Sequence, residues 1–257
     1  MLRNRKFQLF ASLSLFFFPI SISATPDQPL WSKNAVSFPV ACYSDSRPAR
    51  QKICKPFKII SPDGNSYVQV EYKRNPKNED SLVALSVVSA GKVLGAVGTP
   101  GFVEDEVLWS PDSKAFAISG SSNANTDYHL LVYLLNSSGL TRVNPARSAL
   151  RDMVRSFPPC RALNATDECH DVVKHPSDWI GVAAIDWVNG SSSIVVMAEM
   201  NESSIVGGIL GQVLGYEIEI PTGKILRRME AKEFAQRWQS SMAWKFNIPD
   251  PPEYAGN

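Results

Sequence analysis

The stretch Trp109–Ser119, WSPDSKAFAIS, decides the fold. Pro111 presets the first central dihedral angle of a type I turn, and Asp112 suits the turn position that follows. The short apolar run Ala115–Ser119 is typical of a β-strand bounded by turn residues. The pattern therefore predicts a strand that ends at Trp109, a tight turn, and a second strand that returns beside the first.

The same unit recurs elsewhere in the chain. Ile60–Gly64, ISPDG, precedes a strand signal at 67–72, and a shorter copy, Trp187–Gly190, precedes one at 194–200. Two more strand signals follow each copy, and a small turn joins the last pair. A repeated supersecondary unit sets the architecture of the whole domain. The repeat predicts three four-stranded antiparallel meanders, over 57–98, 103–144 and 182–229.

The turn Trp109–Ser113 resembles the WD40-like repeats of the TolB type, whose blades carry a W-S-P-D-G/S turn before a short apolar strand. The first copy has Ile60 in place of the tryptophan, and the third copy lacks the Ser-Pro pair. The resemblance implies propeller-like blades, a protein partner in the cell envelope and no cofactor. Because closed propellers have four to eight blades, three blades imply an open stack unless the Cys42–Cys54 region supplies a partial fourth blade. The alternative is a set of unrelated hairpins that share a common turn.

We expect an all-β protein of antiparallel, propeller-like meanders with two short amphipathic helices. Apolar residues at three- and four-residue spacing predict one helix over 146–157, capped by Asn144, and another over 231–242. The first helix opens an insertion, 145–181, between the second and third meanders. The expected organisation is an N-terminal segment over 25–56, a β domain over 57–246 that contains the insertion, and a tail over 247–257.

The first 24 residues predict a cleavable signal peptide. Three basic residues, Arg3, Arg5 and Lys6, precede an apolar run over 9–18 and small residues at 21–24. The alternative is an uncleaved membrane anchor. No later stretch is long and apolar enough to span a bilayer, so we expect a periplasmic or secreted protein that is not an integral membrane protein after cleavage.

Charge argues against one class of partner. The chain has 26 basic and 25 acidic residues, and removing the three basic residues of the leader leaves 23 against 25, a net charge of about −2. Nucleic-acid binding rests on a basic face that neutralises phosphates. We therefore expect no nucleic-acid partner.

All four cysteines lie in the mature chain, and an even count in an oxidising compartment predicts disulfides. Three pairings are open. We favour the local ones, Cys42–Cys54 and Cys160–Cys169, because each closes a short polar segment. The alternative is a metal site, since His170 and His175 follow Cys169 closely. Zinc ligands usually come in pairs two to four residues apart, and the chain has no C-x-x-C, so we expect no metal.

No catalytic residue can be named from the sequence. The nucleophile elbow, the phosphate-binding glycine loop and the H-E-x-x-H pattern are all absent. We expect His129 to be a packing residue of its strand, and the acidic run Glu104–Glu106 to be a solvated loop rather than a Ca²⁺ or catalytic site. Whether the protein is an enzyme stays open, and the missing motifs favour a protein that is not.

Two surfaces are candidates for binding. The loop over 119–127 is long for a hairpin and rich in serine and asparagine, a composition found in functional connections. The predicted helix over 146–157 carries arginines every fourth residue opposite its apolar face, and guanidinium groups match carboxylates and phosphates. The candidate residues are Ser121, Asn123, Asn125, Asp127, Arg147, Arg151 and Arg155.

The sequence thus predicts an exported, non-catalytic protein that contacts another envelope protein through loops and the helical insertion. One alternative is a hydrolase that acts on peptide or glycan in a cleft between meanders. Another is an inhibitor or immunity-type protein that blocks an enzyme through a protruding loop.

Overall fold

A computed structural model describes residues 29–42, 55–74, 81–101, 104–121, 128–200 and 204–255. Antiparallel β-strands dominate this part of the chain. They are β1 (Val36–Pro39), β2 (Ala41–Cys42), β3 (Phe57–Ile60), β4 (Ser66–Arg74), β5 (Ser81–Ser89), β6 (Lys92–Val97), β7 (Glu104–Trp109), β8 (Ala115–Ser121), β9 (Tyr128–Asn136), β10 (Gly139–Val143), β11 (Ile180–Val188), β12 (Ser193–Met200), β13 (Val213–Glu219) and β14 (Ile225–Glu230).

The strands form three antiparallel sheets. In the N-terminal sheet, β3, β4, β5 and β6 pair in chain order, and β2 pairs with the start of β5. The central sheet has the order β1-β7-β8-β9-β10, and the C-terminal sheet has the order β11-β12-β13-β14. The predicted antiparallel β class is confirmed, and none of the sheets closes into a barrel within the described ranges.

The insertion contains more helix than the sequence predicts. Helix α1 spans Ala146–Ser156, α2 spans Cys169–Lys174 and α3 spans Ala231–Trp238. The expectation of two helices is therefore wrong by one, because a six-residue segment is too short to show a clear periodicity. Asn144 does not cap α1: Pro145 occupies the cap position, and no side chain accepts a hydrogen bond there. No helix among the described residues has the length and apolar character needed to cross a membrane.

The three sheets stack as layers, with one hydrophobic cluster between the N-terminal and central sheets and another between the central and C-terminal sheets. Val68 and Val87 of the N-terminal sheet pack with Phe116 and Ile118 of the central sheet. The opposite face of the central sheet packs against the C-terminal sheet and α1, whose buried residue Met153 joins that cluster. Helix α3 covers the outer face of the C-terminal sheet. The central and C-terminal sheets are therefore each covered on both faces by hydrophobic clusters.

The repeated turns share one hydrogen-bond pattern. In the first copy, Ser61 Oγ donates to Asp63 Oδ1 at 2.6 Å and to the Ser66 carbonyl at 2.8 Å. In the second copy, Ser110 Oγ donates to Asp112 Oδ1 at 2.8 Å and to the carbonyl of Ala115 at 2.9 Å. The serine at the start of each turn closes the turn with its side chain, which explains why the two copies share Ser-Pro-Asp.

The tryptophans of the repeat join neighbouring sheets. The Trp109 Nε1–H donates to the Ile59 carbonyl of the N-terminal sheet at 3.1 Å. The Trp187 Nε1–H donates to the Leu108 carbonyl of the central sheet, also at 3.1 Å. When the first two copies of the repeat are aligned, Ile60 corresponds to Trp109. Ile59 and Leu108 therefore occupy the same position, one residue before that pair. The same hydrogen bond therefore links the first copy to the second and the second to the third.

Candidate functional site

A cavity of about 390 Å³ opens beside the start of β9. Three parts of the chain surround it: the segment after β6, the turn from β10 into α1, and the segment that leads into β11. The lining residues are Gly98, Thr99, Pro100, Tyr128, His129, Leu130, Leu131, Arg142, Asn144, Ala146, Leu150, Ser177, Ile180 and Val182.

The cavity forms where β9 runs past its neighbour. Strand β10 ends at Val143, which pairs with Val132 of β9. The β9 residues before Val132 therefore extend beyond the end of β10, and they line the cavity. Gly181 of β11 permits close packing against Tyr128, because a Cβ at Gly181 would lie 2.6 Å from the ring of Tyr128. The hydroxyl of Tyr128 donates to Glu199 Oε2 at 2.6 Å. Burial, with the Glu199 charge, holds the pKa of Tyr128 well above its ordinary value.

The charged side chain among the lining residues is basic. Arg142 supplies a permanent positive charge, and no aspartate or glutamate is among the lining residues. The N-terminus of α1 begins at the wall with Ala146, and the first turn carries no acidic residue. A guanidinium group binds a carboxylate with two parallel hydrogen bonds. The lining could therefore hold a carboxylate group.

The predicted arginine stripe lies on α1 as expected. Arg147, Arg151 and Arg155 are exposed, while Ala149 and Met153 on the opposite face are buried. None of the three arginines forms an ion pair with another residue of the described ranges. The stripe is thus a line of solvated guanidinium groups, and it starts on the helix whose first residues line the cavity.

The predicted loop site can be placed only at its start. Ser121 is the last residue of β8 and is half-buried. The other three candidates, Asn123, Asn125 and Asp127, lie outside the described residues. The structure therefore brings α1 and the cavity together and leaves the binding role of the loop a prediction.

The acidic run over 104–106 is not a solvated loop, contrary to expectation. It begins β7, and Asp105 and Glu106 are both fully buried. The carboxylate of Glu106 accepts backbone N–H groups from Leu30, Trp31 and Ser32 at 2.8 to 3.1 Å. Burial raises the pKa of Glu106 to about 7 despite these hydrogen bonds. Glu106 thus holds the segment before β1 against the central sheet.

Asp105 faces the opposite side of β7 between two glycines. Its Oδ1 accepts the N–H of Gly101 at 3.0 Å, and its buried Oδ2 has no partner among the described residues. A Cβ at Gly120 would lie 1.8 Å from Oδ1. Burial raises the pKa of Asp105 to about 7. Sequence reasoning missed this buried carboxyl, although a glycine within an apolar strand such as β8 signals a close approach.

Asp105 and His129 do not form a catalytic pair. Gly120 of β8 pairs with Asp105 on β7 and with His129 on β9. At ordinary strand spacing, the Cα atoms of Asp105 and His129 are therefore roughly 10 Å apart. His129 lines the cavity, but Asp105 does not. This arrangement separates the Asp105 carboxyl group from the His129 imidazole.

The predicted Cys160–Cys169 disulfide is confirmed. It joins the segment after α1 to the first residue of α2. Cys160 is exposed, and Cys169 is buried. His170 lies beside the bond, whereas His175 pairs with Asp171 at 4.0 Å. While the disulfide is formed, the two sulfurs are not thiolate ligands for a metal.

The Cys42–Cys54 prediction and the predicted leader over 1–24 lie outside the residues whose side chains are described. No family model matches the chain. No curated protein matches it in sequence either. The fold and the site together define a β-rich protein of three stacked antiparallel sheets with a basic cavity beside one helix.

Proposed function

We propose that the protein is an exported binding module that contacts an acidic envelope protein through the cavity and the arginine stripe of α1. One observation carries the proposal: Arg142 lines a cavity without acidic residues, and that cavity borders the helix that presents Arg147, Arg151 and Arg155. In this proposal, the four guanidinium groups act together as a basic surface on a chain of nearly balanced charge. Such a surface steers and orients an acidic partner.

The three sheets, in this proposal, are blades of an open stack of the WD40-like kind. The repeated serine–aspartate turns and the equivalent tryptophan bonds support it, because a shared ancestral unit accounts for both. The face-to-face layers would form a rigid scaffold that holds the cavity and α1 in a fixed relation. A rigid scaffold lowers the entropy cost of binding.

Affinity capture from envelope extract tests the proposal. Purified mature protein is compared with Arg142→Glu and with a triple variant in which Arg147, Arg151 and Arg155 become glutamate. Lys232→Glu is the matched control, since Lys232 is exposed on α3, away from the basic surface. We expect one stoichiometric acidic protein with wild type and the control, and its loss at high salt.

The two charge-reversal variants should each lose that partner, because a reversed charge repels the carboxylates that the arginine attracted. Far-ultraviolet circular dichroism checks that they remain folded. Equal capture by all four proteins would contradict the proposal. A folded wild-type protein that captures no stoichiometric partner would contradict it as well.

A further inference from the structure

The Cys160–Cys169 disulfide is asymmetric in its exposure. Cys160 is open to solvent, whereas Cys169 has 4% of its surface exposed. A thiolate attacks a disulfide at the sulfur it can reach. An external thiol would therefore meet the Cys160 sulfur first.

A histidine lies against that exposed sulfur. His170 Nδ1 is 3.5 Å from Cys160 Sγ. One ring nitrogen of His170 and both sulfurs lie within 4.8 Å of one another. A positive charge at this distance favours a thiolate over a thiol. His170 in its charged form would thus stabilise whichever cysteine leaves as a thiolate.

We propose that Cys160, Cys169 and His170 form a thiol–disulfide exchange site that reacts with an external dithiol, with Cys160 as the point of entry. A thiolate of the dithiol attacks Cys160 Sγ, the bond between the two cysteines breaks, and Cys169 leaves as a thiolate that takes up a proton. The second thiolate of the dithiol then attacks its own mixed disulfide and releases the Cys160 thiolate beside His170. The Cys160 thiolate then takes up a proton as well, so the dithiol loses two electrons and becomes a disulfide, and the protein gains them as two thiols.

The site also lies where exchange would have a structural consequence. The disulfide closes the short segment from Cys160, which follows α1, to Cys169, the first residue of α2. Ala162 and Val172, near its two ends, belong to the hydrophobic cluster shared with the C-terminal sheet. Reduction would remove the covalent tie across this segment while its apolar contacts remain.

The test follows reduction of the folded protein by dithiothreitol at pH 7. Samples are quenched with an alkylating agent, and peptide mass spectrometry measures modification at Cys160 and Cys169 separately from the other two cysteines. We expect a rate that rises linearly with dithiothreitol concentration, because direct attack needs no prior unfolding. Glutathione has a single thiol, so it should form a mixed disulfide that can be trapped, and we expect that adduct on Cys160.

Three variants separate the role of His170 from a structural one. His170→Ala should slow reduction about threefold to tenfold, since it removes the imidazole beside the two sulfurs. His170→Lys should restore at least half of the wild-type rate, and His175→Ala, the matched control, should leave it unchanged. A rate that does not depend on dithiothreitol concentration, an adduct on Cys169 instead, or equal rates in wild type, His170→Ala and His170→Lys would overturn the proposal.

Discussion

Replacing Asp105 by asparagine should stabilise the protein at neutral and alkaline pH and leave it nearly unchanged in acid. The carboxyl group is fully buried with one hydrogen bond, from the Gly101 N–H. Its Oδ2 has no partner in the described ranges. Burial of an ionised group with so little compensation is costly. Asparagine keeps the acceptor for Gly101 and removes the charge.

The magnitude follows from the pKa of Asp105, which rises from 3.8 to about 7. Between these values the folded protein holds a proton that the unfolded chain has released, so the stability of the folded state falls as pH rises through that window. Each pKa unit corresponds to about 1.4 kcal/mol, which makes the full cost above pH 7 about 4 kcal/mol. We expect Asp105→Asn to gain about 2–4 kcal/mol at pH 8 and less than about 1 kcal/mol at pH 4.

Urea unfolding monitored by tryptophan fluorescence between pH 4 and pH 8 measures this difference, with the disulfides intact. Asp167→Asn is the control, because Asp167 is an exposed carboxylate and its replacement should shift stability little at any pH. A constant difference between Asp105→Asn and wild type across the range would refute the reasoning. So would a loss of stability on substitution at pH 8.

Three further sets of substitutions test the packing and hydrogen bonds of the fold. Gly120→Ala should lower the free energy of unfolding by about 3 kcal/mol or more, because the new Cβ would lie 1.8 Å from Asp105 Oδ1. Gly95→Ala is the control, since a Cβ there would meet only Leu140 Cδ1 at 3.7 Å. It should cost less than about 1.5 kcal/mol in the same urea assay. Trp109→Phe and Trp187→Phe should each cost about 1–3 kcal/mol by leaving a carbonyl without its partner, and the two losses should add in the double variant. Glu106→Gln should speed amide hydrogen exchange at Leu30, Trp31 and Ser32, since the side-chain amide offers one acceptor oxygen to three N–H donors. Unchanged exchange at these residues would show that the carboxylate does not hold the segment before β1.

The strands of the three meanders could be predicted because their signals are local. In the turn Ser110–Ala115, the hydrogen bonds of the serine side chain reach no further than five residues, so the local sequence contains the interaction that closes the turn. Helix α1 was predictable for the same reason, since its apolar face repeats every three to four residues. Helix α2 was not, because one and a half turns give too few repeats to reveal a face.

The burial of Asp105 and Glu106 could not be predicted, because its causes are distant in sequence. Glu106 is held by backbone groups of Leu30–Ser32, more than 70 residues away. Neighbouring carboxylates usually favour solvent, and only tertiary contacts reverse that preference. The cavity is equally nonlocal, since its walls come from four separate stretches of the chain.

Helix α1 combines a local sequence pattern with a tertiary contact. Its apolar face is fixed by packing against the C-terminal sheet, through Ala149 and Met153. That packing leaves Arg147, Arg151 and Arg155 no orientation except toward solvent, and it brings the first turn of the helix to the cavity wall. Three charged side chains on one exposed face repel one another unless a partner neutralises them. Their alignment costs the isolated protein a little stability, and an acidic partner would offset that cost on binding.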